Sequence, residues 1–141
     1  MDTIKNFEEW RTEEITKVFL LKSGLDIIIS KYPTPLFDLF IQLKKNTKIK
    51  FAIEVKTKSR FQSKINNQIE VLKRYRDSNV IDLPVLLFKI DEKTESGEMD
   101  FLVLPSFKEN KLLVKYIFEF EPLTAQNFRN KVDTITEWFN R

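Results

Sequence analysis

The spacing of apolar residues changes period along the chain, and each change marks an element. From Asn6 to Lys22 apolar residues recur every three to four positions, which predicts a helix. Asn6 with Glu9 has the pattern of a capping box, and Lys22-Ser23-Gly24 is a stop signal. Short apolar runs predict strands at Leu25–Ser30 and Leu36–Leu43, with a turn over Lys31–Pro35 between them. "IKFAIEVKT", Ile49 to Thr57, alternates strictly as a strand does, and the polar Asn46–Lys48 before it predicts a hairpin turn. Helical spacing returns from Ser63 to Asp77, with Ile65, Ile69 and Leu72 on one side. Pro84–Ile90 reads as a buried strand, Asp91–Glu98 as a charged loop, and Met99–Leu104 and Leu113–Phe120 as further strands. Pro122 is expected to open a last helix carrying Phe128, Val132 and Ile135. The order α-β-β-β-α-β-β-β-α predicts one α/β domain over residues 1–141, a mixed central β-sheet flanked by helices.

Several polar residues break this pattern. Asp38 interrupts the apolar run from Leu36 to Ile41, where a carboxylate without a partner loses either stability or its charge. Strand alternation places Phe51, Ile53 and Val55 on one face and Ala52, Glu54 and Lys56 on the other. A hairpin between the two strands brings Asp38 within reach of Glu54 and Lys56. Such a cluster is either a cross-strand ion pair, Asp38 with Lys56, or a chemical site. On the first helix Phe7, Trp10, Val18 and Leu21 fall within one arc and are expected to face the core, with Glu14 in its middle and Glu13 at its edge. On the second helix Gln68 shares the side of Leu72 and Tyr75.

Composition then narrows the chemistry. The chain holds no cysteine and no histidine, which excludes disulfides, Ser–His and Cys–His nucleophile systems and the common zinc sites. Asp, Glu, Lys, Tyr, Ser and Thr remain, a set suited to a hard cation with oxygen ligands. With 42% hydrophobic and 32% charged residues, the chain belongs to the globular class. No apolar stretch reaches the roughly 20 residues of a membrane span. Met1 to Glu14 lacks the apolar core of a signal peptide, so a cytoplasmic protein with no membrane partner is expected. The net charge of +3 is uneven: Lys44 to Arg76 carries eleven basic residues, Lys44 and Lys45 among them, against Glu54 and Glu70. That segment is +9 and the rest of the chain −6, an asymmetry that suggests a polyanion-binding face.

The succession of these features resembles the PD-(D/E)xK nuclease superfamily, which includes type II restriction enzymes, archaeal Holliday-junction resolvases and small phage and defence nucleases. A helix with an acid (Glu14), an Asp after a proline-bounded turn (Asp38), a strand with Glu54-Val55-Lys56, then a helix and a strand make up the likeness, over roughly Glu8 to Ile90. Pro35 stands three positions before Asp38, and Gln68 is followed by Leu72 and later Tyr75.

The resemblance implies a restriction-endonuclease-like fold and a metal-dependent endonuclease acting on DNA, of a defence or mobile-element kind. Asp38, Glu54 and the Val55 carbonyl would hold Mg²⁺ or Mn²⁺, and Glu14 would complete the site. Lys56 would orient the attacking water or stabilise charge on the phosphate, and Gln68 would bond the water or Lys56. Lys58, Arg60 and Lys64, with Lys44 and Lys45, would meet the nucleic acid. No organic cofactor is implied. A homodimer is expected for cutting both strands, paired through Trp138, Phe139 and Leu113–Phe120. The competing readings are an inactive nuclease-fold subunit that binds DNA in a larger complex, and a phage or plasmid interaction factor in which Asp38 and Lys56 only pair.

Overall fold

The computed structural model describes residues 3–76 and 81–141; Asp77 and the side chains of Asn6, Phe7 and Tyr75 lie outside the described residues. The elements run α1 (Thr3–Leu21), β1 (Ile27–Lys31), β2 (Leu39–Leu43), β3 (Asn46–Thr57), a 3-10 turn (Lys58–Arg60), α2 (Phe61–Arg76), β4 (Val85–Asp91), β5 (Ser96–Ser106), β6 (Lys111–Val114), β7 (Glu121–Pro122) and α3 (Ala125–Asn140). Strands β1 to β6 lie in sequence order in one open sheet, and β7 pairs with the other end of β5. All pairs are antiparallel except β3–β4, which α2 connects. The chain is therefore α/β, with a mixed, mostly antiparallel sheet and three helices. Among the described residues no helix is long and apolar enough to cross a membrane.

Both faces of the central strands are covered, as the unbroken run Val85-Leu86-Leu87-Phe88, buried throughout, requires. On one face α1 and α3 meet the sheet through Phe19, Phe51, Phe88 and Phe128, which pack edge-to-face with centroids 5.6 to 6.2 Å apart. On the other, α2 buries Ile65, Ile69 and Leu72, and its Phe61 meets Phe118 and Phe120 at 6.1 and 5.4 Å.

The first helix turns the other way from the sequence expectation. Trp10, Val18 and Leu21 are exposed, whereas Thr12, Thr16 and Leu20 face the sheet. Small threonines allow close approach and their hydroxyls are satisfied: Thr16 Oγ1 donates to the Thr12 carbonyl at 2.9 Å, and Thr12 Oγ1 bonds Thr57 Oγ1 at 3.1 Å. Several boundaries also move. Leu36, Phe37 and Asp38 precede β2, and a bulge between Gln42 and Leu43 shifts the hairpin turn to Lys44–Lys45. The strand expected over Leu113–Phe120 ends at Val114, because the chain leaves the sheet and gives the Glu119 N–H to the Asp100 carboxylate at 2.8 Å. Pro122 sits in β7, and Thr124 caps α3 by accepting from the Asn127 N–H at 3.1 Å. Trp138 is buried, its ring against Phe107 at 5.7 Å and under Arg141, which removes it from the expected pairing surface.

Candidate active site

The β2–β3 ladder sets the site. Leu39 pairs with Ile53, and the Asp38 N–H donates to the Ile53 carbonyl at 3.2 Å, so Asp38 extends the ladder opposite Glu54. Asp38 Oδ2 accepts from the Val55 N–H at 2.7 Å. Glu54 points to the α2 face, only 5% exposed, where Gln68 Nε2 donates to its Oε2 and Lys56 Nζ stands 3.7 Å from the same oxygen. Lys56 thus pairs with Glu54, and Asp38 takes a backbone amide in place of the cross-strand ammonium. Asp38, Glu54 and Lys56 line one hollow of about 170 Å³. Gln68 backs Glu54 from behind, and its Oε1 is buried without a hydrogen-bond partner.

Glu54 carries the electrostatic signature. Burial, then the hydrogen bond and charge of Asp38, push its carboxyl up to about 10; Lys56 and the Val55 N–H pull down and do not offset this. Glu54 therefore keeps its proton at neutral pH unless further positive charge arrives.

The structure does not bring Glu14 to this site. Its side chain lies on the outer side of α1, 3.8 Å from Lys17. Glu13 takes the inner position instead: it lines the hollow, and its carboxyl is raised first by burial and then by Asp38. Reading α1 by its threonines, Thr12 and Thr16, rather than by its largest apolar residues would have put Glu13 on the inner flank. Arg60 and Lys64 also line the hollow, with Lys64 bridged to Glu9 at 3.0 Å across its mouth. Lys58 turns away to Asp91 at 3.9 Å. Lys44 and Lys45 sit at the far tip of the hairpin, about 20 Å along β2 from Asp38 at ~3.3 Å per residue. There Lys44 approaches Asp26 at 4.0 Å. The basic segment is thus divided between two ends of the hairpin.

The donor set bears on which cation fits. Among the described residues no three acidic, His or Cys side chains gather at one point, so a side-chain cage is absent there. What the site offers is a facing pair, Asp38 and Glu54. The Val55 carbonyl leaves the strand on the same edge as its N–H, the edge that Asp38 occupies. That set fits Mg²⁺ or Mn²⁺, which retain waters and take one or two carboxylates. A bound cation would also replace the Glu54 proton, and the unpartnered Gln68 Oε1 leaves an acceptor for a water beside it.

No protein-family model matches this chain, and neither a curated protein nor a solved structure does.

Proposed function

We propose that the chain is a Mg²⁺-dependent endonuclease of the restriction-endonuclease-like, PD-(D/E)xK kind, hydrolysing DNA phosphodiester bonds. The observation that carries this reading is the Asp38–Glu54 pair: two carboxyl groups meet beside a half-buried lysine that does not offset the rise of Glu54. The order α1-β1-β2-β3-α2-β4, with β3 and β4 parallel, supports the fold assignment.

A divalent cation bound there supplies charge to polarise the scissile phosphate and to acidify a water. The chain's own groups do the rest. Asp38, held by the Val55 amide, lines the hollow. Gln68 fixes the Glu54 carboxyl through its Nε2, and its buried Oε1 is left without a partner. Lys56, tethered by Glu54, presents its ammonium to a phosphate oxygen. Arg60 and Lys64 lie at the mouth, where a substrate backbone approaches.

The test is nicking of supercoiled plasmid with Mg²⁺, Mn²⁺ or EDTA, beside calorimetric titration of each metal. Wild type is expected to cut only with metal. Asp38→Asn is expected to lose metal binding, and Lys56→Ala to bind metal yet cut about a hundredfold more slowly. Metal binding without cleavage of any DNA would leave an inactive DNA-binding subunit as the better reading.

A further inference from the structure

A second, larger hollow adjoins the first. It holds about 1140 Å³ between α1 and the β1–β2 connection, and it shares Glu13 and Asp38 with the site hollow. The two are one trough along α1, from Glu9 at one end to Leu21 at the other, about 18 Å at ~1.5 Å per residue. The candidate metal pair lies inside that length, away from either end.

The walls of the larger part are unlike an apolar core groove. Lys17 stands on the α1 side and Lys31 on the β1 side. Tyr32, next to Lys31, lines the same hollow and is half-buried, its ring set edge-on against Phe37 at 5.1 Å and Phe40 at 6.3 Å, and flanked by Pro33 and Pro35. Cations on both walls with an anchored aromatic beside one of them are the parts of a single-strand binding groove, where lysines follow the backbone and a ring receives a base. Arg60 and Lys64 continue the cationic path beyond the site.

We infer that the trough of Lys17, Lys31 and Tyr32 receives a single strand of DNA and leads its phosphate to Asp38 and Glu54. This rests on the nuclease reading and adds the form of substrate: an unpaired segment, such as a frayed end or flap, next to the cut.

The experiment measures fluorescence anisotropy of a short labelled oligo-dT, a blunt duplex of equal length and an oligo-U, all with Ca²⁺ in place of Mg²⁺ and over a range of salt. Oligo-dT is expected to bind more tightly than the duplex. In Lys17→Ala/Lys31→Ala the slope of log affinity against log salt is expected to shrink by about 1.4, the share of two single-strand phosphate contacts. Tyr32→Ala is expected to lose roughly tenfold in affinity. Because Tyr32 also packs on Phe37, the lysine variant, which removes no core contact, decides the matter if Tyr32→Ala unfolds. The control, Lys108→Ala on the β5–β6 turn with Lys111→Ala at the start of β6, removes equal charge and is expected to change nothing. Tighter duplex binding with an unchanged salt slope in Lys17→Ala/Lys31→Ala overturns the inference, as does a preference for oligo-U. Plasmid nicking by the same variants keeps the two readings apart. Cutting that survives while strand binding is unaltered sinks the trough alone; strand binding without metal-dependent cutting sinks the nuclease alone.

Discussion

Two buried carboxylates lie in one row across the sheet, and they are provided for in opposite ways. Glu54 on β3 pairs in register with Leu87, and Leu87 with Asp100 on β5, so one leucine separates the acids. Both are nearly closed to solvent, at 5% and 2% exposure. Asp100 is saturated: its Oδ2 takes the Lys115 ammonium at 2.8 Å and the Glu119 N–H at 2.8 Å, and its Oδ1 the Phe101 N–H at 2.7 Å. Glu54 has one amide, an ammonium at 3.7 Å and a facing carboxylate. Burial of an acid is thus no sign of function by itself. The distinguishing feature is a buried acid left short of positive charge, since a fold under no other demand would satisfy it as this one satisfies Asp100.

The comparison breaks most visibly on deletion. Asp100→Ala strands the Lys115 ammonium and two backbone amides, and it is expected to cost about 3–5 kcal/mol in urea unfolding. Glu54→Gln keeps shape and removes a group that must take up a proton to fold at pH 8, so metal-free stability there is expected to hold or rise. Equal losses in the two variants would show that both acids are structural.

A smaller effect appears in pH. The folded Glu54 carboxyl is raised to about 10 from an ordinary 4.5. Below the lower value both folded and unfolded chains hold the proton; between the two only the folded chain does. Its contribution is therefore complete in acid and is lost as pH rises toward the folded value, by about 1.4 kcal/mol per pH unit, levelling above it. Thermal unfolding of metal-free protein from pH 5 to pH 9 is expected to fall more steeply for wild type than for Glu54→Gln. Added Mg²⁺ is expected to stabilise more at pH 8 than at pH 6, because its binding releases that proton. A parallel decline in the two proteins would place Glu54 among ordinary paired carboxylates.

The smallest contrast lies between neighbours on α1. Glu14→Gln is expected to change stability by less than about 0.5 kcal/mol and to leave Mg²⁺ affinity alone. Glu13→Gln, beside Asp38, is expected to weaken Mg²⁺ binding severalfold by calorimetry. The reverse result would restore Glu14 to the site.

The site was legible wherever local pattern decides position. Strict alternation in β3 placed Glu54 and Lys56 on one face, and the hairpin carried Asp38 to them. Ile65, Ile69 and Leu72 oriented α2 correctly and with it Gln68. The pattern failed on α1, where Thr12 and Thr16 occupy the contact and the larger Trp10, Val18 and Leu21 remain outside. Side-chain size outranks hydroxyl satisfaction in a sequence reading, and the Thr12–Thr57 bond, which fixes the helix's rotation, joins residues far apart in the chain. The saturation of Asp100 was hidden for the same reason. Its partners come from the irregular Lys115–Glu119 segment, whose alternation imitates a strand.

The connectivity of the sheet has a kinetic side. Strands β1, β2 and β3 pair with their chain neighbours, and so do β4, β5 and β6, so contact order is low over much of the sheet. Asp38, Glu54, Lys56 and Gln68 all fall within one hairpin and the helix that follows it, and their mutual approach requires only short loops to close. The long-range step belongs to α3, whose Phe128 returns from the end of the chain to Phe19 and Phe51 on the opposite face. The candidate site thus resides in the most locally connected part of the molecule, and the distant closure is left to hydrocarbon.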